Sequence, residues 1–218
     1  MSKLKTQTKT SVAVLTALGL TLGATSFSAQ AIQAGDMFAR VTLTNVAPND
    51  DADAFSTVAV VPEVGDNTRP GVTFVYMYDN NIGFEVLAAL PFKHDITVDG
   101  LGKIGETKQL PPTFSVQYYF NPQSKIRPYV GLGLNYTTFF NAKTTLTTPV
   151  DLQGDLKLDD SFGLAAQVGI DYDINEKWFL TADARYINIE TTATNSAAGT
   201  TDVEINPTVV SIGVGYKF

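Results

Sequence analysis

The chain is 218 residues long, a length that suits one domain, and it carries no cysteine, which excludes disulfides, thiolate metal sites and cysteine nucleophiles together. Its formal net charge of −7 argues against nucleic acid as a partner. Only 17% of the residues are charged, short of the roughly one quarter that a soluble surface carries.

Three lysines, Lys3, Lys5 and Lys9, open the chain, with no acidic residue among them, and an apolar run from Ser11 to Ala24 follows. That run is too short to span a bilayer as a helix. It ends in Ala29-Gln30-Ala31, so residues 1–31 read as a secretory signal peptide, with a cut after Ala31 or, by the same small-residue rule, after Ala34. Removing them leaves 12 basic and 22 acidic residues, a formal charge of −10. The mature domain is then 32–218. Within it no window approaches 18 consecutive apolar residues, so any membrane span has to be a closed barrel, in which every strand pairs its backbone groups.

Period-two alternation marks eight strands in order. The first four occupy Asp36 to Val46 (Ala39, Val41, Leu43 against Arg40, Thr42), Thr68 to Tyr78, Asn81 to Phe92 and Gln109 to Phe120. Pro111-Pro112 breaks donor positions and predicts a strand end or kink there. The clearest alternation comes later, over Arg127 to Phe140, Leu158 to Tyr172, the segment from Trp178 to Tyr186, and Val210 to Phe218. In each, large apolar residues on one parity oppose small and polar ones on the other, for example Val130, Leu132, Leu134 against Gly131, Gly133, Asn135. No helix is predicted after the signal, because β-branched, aromatic, Gly and Thr residues dominate.

Connections alternate in length. Asp79 to Asn81, Asn121 to Ile126 and Ile174 to Lys177 are turn-like, whereas Ala47 to Asn67, Lys93 to Lys108, Asn141 to Lys157 and Thr192 to Asp202 are long. Short periplasmic turns and long external loops are the pattern of transmembrane barrels, and three turns with four loops put both termini on the periplasmic side. The fold expected is an all-β, eight-stranded antiparallel up-and-down transmembrane barrel. A soluble lipocalin-like barrel would show the same alternation with its apolar face inside. The glycine-rich polar parity decides between them, since glycines make a poor solubilising exterior and suit a crowded lumen. Aromatics then form two interfacial girdles: Tyr78, Phe120, Tyr172, Trp178 and Tyr216 beside the turns, and Phe92, Phe139, Phe140 and Tyr186 near the loops.

With strands, loops and termini in place, the chain resembles the OmpW family of small outer-membrane barrels over nearly all of its mature length. The resemblance rests on Asn81-Ile82-Gly83-Phe84-Glu85 running to Leu90-Pro91-Phe92-Lys93-His94, on Leu110-Pro111-Pro112-Thr113, and on Arg127-Pro128-Tyr129-Val130-Gly131 through Asn135-Tyr136-Thr137-Thr138-Phe139-Phe140. Asp160-Ser161-Phe162-Gly163, Gly169-Ile170-Asp171-Tyr172 and the closing Gly215-Tyr216-Lys217-Phe218 complete it. It implies a narrow, partly hydrophobic lumen that passes or binds small hydrophobic molecules. Two departures stand out: Phe162 where relatives often carry Trp, and Arg185 where an aromatic constricts the barrel in relatives.

The lumen parity gathers Arg40, Glu85, Gln117, Asp171, Asp183 and Arg185, with Leu87 among them. Ionisable groups at membrane depth are costly unless paired, so a hydrogen-bonded ion-pair network is expected. Such a network serves either as a polar pathway or as a filling of a barrel just wide enough for its side chains. Leu87 and Arg185 are expected to narrow the lumen. The lone histidine, His94, lacks companions for a metal site or a catalytic triad and reads as a solvated loop residue. The acidic stretch Asn49 to Asp53 lacks the glycine and distal Glu of a calcium loop and reads as external loop. No enzyme activity, cofactor or metal is expected. Expected partners are outer-membrane lipid, small hydrophobic solutes and the barrel-assembly machinery that reads the terminal Phe218. The rival reading is a structural, receptor or adhesion barrel with a plugged lumen and functional loops.

Overall fold

The computed structural model describes residues 31–49, 51–52, 63–98, 102–144, 156–196 and 199–218. The expected signal peptide lies outside these residues apart from Ala31, as do Asp50 and Asp53 of the acidic stretch. Among the described residues there is no helix.

Eight strands make the barrel: β1 (Met37–Ala47), β2 (Asn67–Met77), β3 (Ile82–Ala89), β4 (Thr113–Tyr119), β5 (Ile126–Thr144), β6 (Ser161–Asp173), β7 (Trp178–Ile187) and β8 (Thr208–Lys217). Each pairs antiparallel with its sequence neighbours, and β1 pairs with β8 from Phe38↔Lys217 to Ala47↔Thr208, so the sheet closes with no free edge. The short turns are tied locally. Asp79 accepts from the Asn81 and Ile82 backbone N–H groups, and Asn175 from those of Lys177 and Trp178.

Burial alternates along every barrel strand, and it is inside out. Val41, Leu43, Phe74, Phe84, Leu132, Leu164 and Ile212 are between 47% and 71% exposed on the exterior, whereas Arg40, Glu85, Gln117, Arg127 and Asp171 are at most 2% exposed inside. An apolar belt of this extent is the outer surface of a membrane-spanning barrel. The small lumen-parity residues make room for the large ones. A side-chain carbon on Gly215 would overlap the ring of Phe179, and one on Gly169 the ring of Tyr129, so these two buried aromatics lie flat against bare backbone.

The predicted long loops are in good part strand. Phe92–Val98 and Gly102–Leu110 form a hairpin that carries the wall upward from β3 and β4, and its second strand pairs with the far end of β5. Glu190–Asn195 and Gly199–Glu204 make a second hairpin above β7 and β8, flanked by Leu156–Leu158 and Asp51–Ala52. Polar Thr and Lys on the outward parity hid these extensions from a reading based on apolar alternation. Pro111-Pro112 does end one strand and precede the next, as expected.

Candidate functional site

Two layers fill the barrel. The lower layer, toward the short turns, is a polar plug. Arg40 on β1 lies against Asp171 on β6 with two hydrogen bonds (Nη2–Oδ2 2.9 Å, Nε–Oδ1 3.3 Å), donates from Nη1 to Glu85 on β3 (3.1 Å), and donates from Nη2 to the Tyr119 hydroxyl (2.6 Å). Tyr119 in turn donates to Gln117 Oε1 (2.7 Å). Glu85 is the hub: Gln117, Gln167 and Arg185 all reach its carboxylate within 3.1 Å. Arg185 also pairs with Asp183 at 3.4 Å. Below these, Asp173 takes Arg127 and Lys217 together. Beneath and around the guanidinium of Arg40 stand Phe38 and Tyr129, their ring centres 5.1 and 4.9 Å away, with Phe179 and Met77 in the same buried cluster. Ile32 closes it from below, its backbone N–H donating to Pro122 O at 3.0 Å.

The plug therefore contains Arg40, Arg127, Arg185 and Lys217 against Glu85, Asp171, Asp173 and Asp183. Charges cancel one for one, as groups removed from water require. All six polar residues predicted for the lumen come together here. Sequence parity also held Arg127, Asp173, Lys217, Phe38, Tyr119, Tyr129 and Phe179, at positions near strand ends where alternation is easily taken to have stopped.

Above the plug the lining turns apolar. Leu87 stands at this boundary, facing a slim cavity bounded by Val46, Phe92, Pro111, Ile187, Ile189 and Val209. A second cavity above it is bounded by Ile96, Phe139, Leu156, Leu158, Val203 and Ile205. Gln109 borders both. Open space is small, about 30 Å³ in the upper and about 20 Å³ in the lower. This apolar cluster corrects two expectations. Phe92 and Phe139 belong to it rather than to an outer aromatic girdle. His94 is likewise no solvated loop residue: it is 1% exposed and borders the upper cavity, with Nδ1 2.6 Å from Gly65 O and Nε2 3.0 Å from Gln109 Nε2. That geometry is satisfied by the neutral ring, Nδ1–H donating and Nε2 accepting. Burial holds the His94 pKa below its usual value, against smaller opposing effects of the Gly65 carbonyl, Asp66 and Asp95.

The wall beside the lower cavity is interrupted. Pairing between β3 and β4 ends at Leu87↔Thr113 and resumes only at Phe92↔Gln109, so residues 88–91 and 110–112 face each other unpaired. Three of these seven are proline, which has no N–H to donate. Leu90, on the exterior of this seam, is 60% exposed.

The remaining aromatics lie on the exterior as expected. Tyr78, Phe120, Trp178 and Tyr186 are 46–65% exposed, and Phe140, Tyr172 and Tyr216 are partly exposed. Trp178 stacks edge-on against Tyr216 at 4.9 Å, and Lys125 and Lys177 sit over Tyr172 and Tyr216. Phe218 ends the chain 74% exposed beside Tyr216.

Known proteins resemble this chain in sequence and fold. Outer membrane protein W of Vibrio cholerae is 51% identical over 97% of this chain and 99% of its own length. Outer membrane protein W of Escherichia coli K12 is 41% identical over 88% of this chain and 93% of its own. The crystal structure of the outer membrane protein OprG from Pseudomonas aeruginosa superposes with a TM-score of 0.81 at 37% identity, over 87% of this chain and 99% of that one. The model of the OmpW family matches residues 33–218. An inside-out closed barrel, relatives named for the outer membrane and a family match over the whole described barrel lead to one conclusion: the chain belongs to the OmpW family and is an outer-membrane β-barrel.

Proposed function

We propose that the barrel binds and passes small hydrophobic molecules, admitting them at the long-loop end and releasing them sideways through its wall. The carrying observation is the change of lining at Leu87: apolar cavities above, a neutral, cross-linked plug below. An apolar solute gains from the upper lining what it loses in the plug, where it would displace ion pairs from each other without replacing them. The lower cavity reaches Phe92, Gln109 and Pro111, which border the unpaired seam, so the seam is the shortest way out. Because open space is small, a solute enters as Phe139, Leu156 and Leu158 swing aside. In this reading both termini face the periplasm, Phe218 is read by the assembly machinery, and the barrel transfers solute without catalysis.

The test is uptake of radiolabelled naphthalene by intact cells. Cells carrying the protein are expected to accumulate it several-fold faster than cells without it, and Phe139→Asp, at equal surface amount, is expected to abolish the difference. Equal uptake with and without the protein refutes the reading. It would favour instead a sealed receptor or adhesion barrel, which the plug alone would also suit. Orientation is checked separately. The chain has no cysteine, so Asn141→Cys should react with a membrane-impermeant maleimide in intact cells, and Ser124→Cys should not.

A further inference from the structure

The outward face of the lower-numbered hairpin is basic in an otherwise acidic protein. Register places Lys93 opposite Lys108 and Lys108 opposite Phe140, with Asp95, Glu106 and Lys143 forming the next row. Lys103 reaches over this row to Asp95 (2.7 Å) and Glu106 (3.1 Å), and Lys93 to Glu106 (2.7 Å). On these three strands four lysines thus meet two carboxylates, and a third, exposed Asp66, lies at the far edge beside Gly65, whose N–H donates to Asp95 O at 3.1 Å. Lys108 and Lys143 have no acidic partner among the described residues. Like charges directly opposite on neighbouring strands destabilise a sheet, so the Lys93–Lys108 pair is a cost that an outside anion would remove. The other hairpin is the reverse. Its exposed charges are Glu190, Asp202 and Glu204, with Asp159 and Asp160 beside Lys157.

Height supports a lipid partner. A barrel strand rises about 3.3 Å per residue and tilts by about 40°, giving roughly 2.5 Å of height per residue. Lys108 precedes Phe120 by twelve positions on one continuous wall, broken only at Pro111-Pro112, so it stands about 30 Å above that girdle residue, just past an apolar band of about 25 Å. Below it lies exposed Leu90, and beside it Phe140. The lysines therefore look sideways into the headgroup layer.

We propose that Lys93, Lys103, Lys108 and Lys143 form a docking site for the phosphorylated sugar headgroup of an outer-leaflet glycolipid, a phosphate settling between Lys93, Lys108 and Lys143. Ammonium-to-phosphate hydrogen bonds are charge-assisted and need no fixed fork geometry, which suits lysine. The site rests on the long-loop end facing outward. The lateral-release reading plays no part in it.

Binding is read by native mass spectrometry of the refolded mature chain in neutral detergent, titrated with bisphosphorylated lipid A. Lys108→Gln/Lys143→Gln removes only cations without acidic partners, and heat-modifiable gel migration confirms that the variant barrel is folded. Each juxtamembrane cation contributes about fivefold to anionic-lipid affinity, so the double variant is expected to bind roughly 25-fold more weakly. Lys177→Gln, at the opposite end, should bind as the original does. Lipid A stripped of phosphate, phosphatidylglycerol and millimolar inorganic phosphate should each bind or compete far less. Equal binding by the double variant, an equal loss in Lys177→Gln, or equal retention of phosphatidylglycerol or dephosphorylated lipid A overturns the proposal, as does full displacement by inorganic phosphate. Since binding in detergent is blind to orientation, such a failure is distinct from a wrong orientation, which the cysteine labelling detects.

Discussion

Glu85 and His94 show how one buried group sets the behaviour of its surroundings. Glu85 is the shared anion of Arg40, Arg185, Gln117 and Gln167. Glu85→Leu keeps the approximate bulk but takes a shared anion from two buried guanidinium groups, leaving Arg40 with Asp171, Arg185 with Asp183 and one unmatched positive charge in the plug, a change of the class that costs about 3–5 kcal/mol. Urea unfolding in phospholipid vesicles should show a loss of at least 3 kcal/mol, and a loss below about 1 kcal/mol would mean that the plug is wetter than its burial indicates. His94, on the hairpin above the membrane band, contributes a pH dependence whose sign follows from its depressed pKa. The folded hairpin favours the neutral ring, so its stability is full above the ordinary histidine value of about 6.5 and is lost as pH falls below it. A second proton would also set Nε2–H against the Gln109 amide hydrogens. Amide exchange over 92–98 and 102–110, corrected for intrinsic rate, should therefore be faster at pH 5 than at pH 7.5. In His94→Gln that difference should vanish.

Segments, unlike single groups, were largely legible in the sequence, because a side-chain period of two writes itself into a strand with one greasy face. Arg127 to Phe140 and Leu158 to Tyr172 were readable for that reason, and so was the break at Pro111-Pro112. What escaped was where parity shifts. Residues 82, 84, 86 and 88 face outward, yet Phe92 faces in, because the irregular stretch through Leu90-Pro91 slips the alternation by one. Parity also names which residues enter the lumen without saying which of them meet, since contacts across a barrel depend on tilt and stagger. The meeting of Arg40 with Asp171, 131 positions away, could be seen only in three dimensions. The segment before β1 allows a sharper statement than the sequence did. Ile32 is 1% exposed among Phe38, Met77 and Phe179, while Ala34 N–H donates to Asn80 at 3.0 Å. A cut after Ala34 would discard this stopper; one after Ala31 keeps it. N-terminal sequencing of the purified protein should begin Ile32-Gln33-Ala34, and a start at Gly35 would leave the base of the plug uncovered.

Taken as a whole, the barrel is braced across its middle. Each of the eight strands sends at least one side chain into the plug: Arg40 from β1, Met77 from β2, Glu85 from β3, Tyr119 from β4, Arg127 from β5, Asp171 from β6, Arg185 from β7 and Lys217 from β8. An eight-stranded barrel is only just wide enough for its own side chains, and here they are linked by ion pairs that hold one another in place. Moving a hydrated ion through would require several of these pairs to part at once. Protein inserted in a planar bilayer in potassium chloride is therefore expected to give no steady conductance steps at ±100 mV. Arg185→Ala should leave this unchanged, because Arg40, Gln117 and Gln167 continue to hold Glu85 across the bore. Long-lived ohmic steps in the unaltered protein would mean that the plug parts readily, and an axial polar pathway through Arg40 and Arg185 would then replace the sideways route.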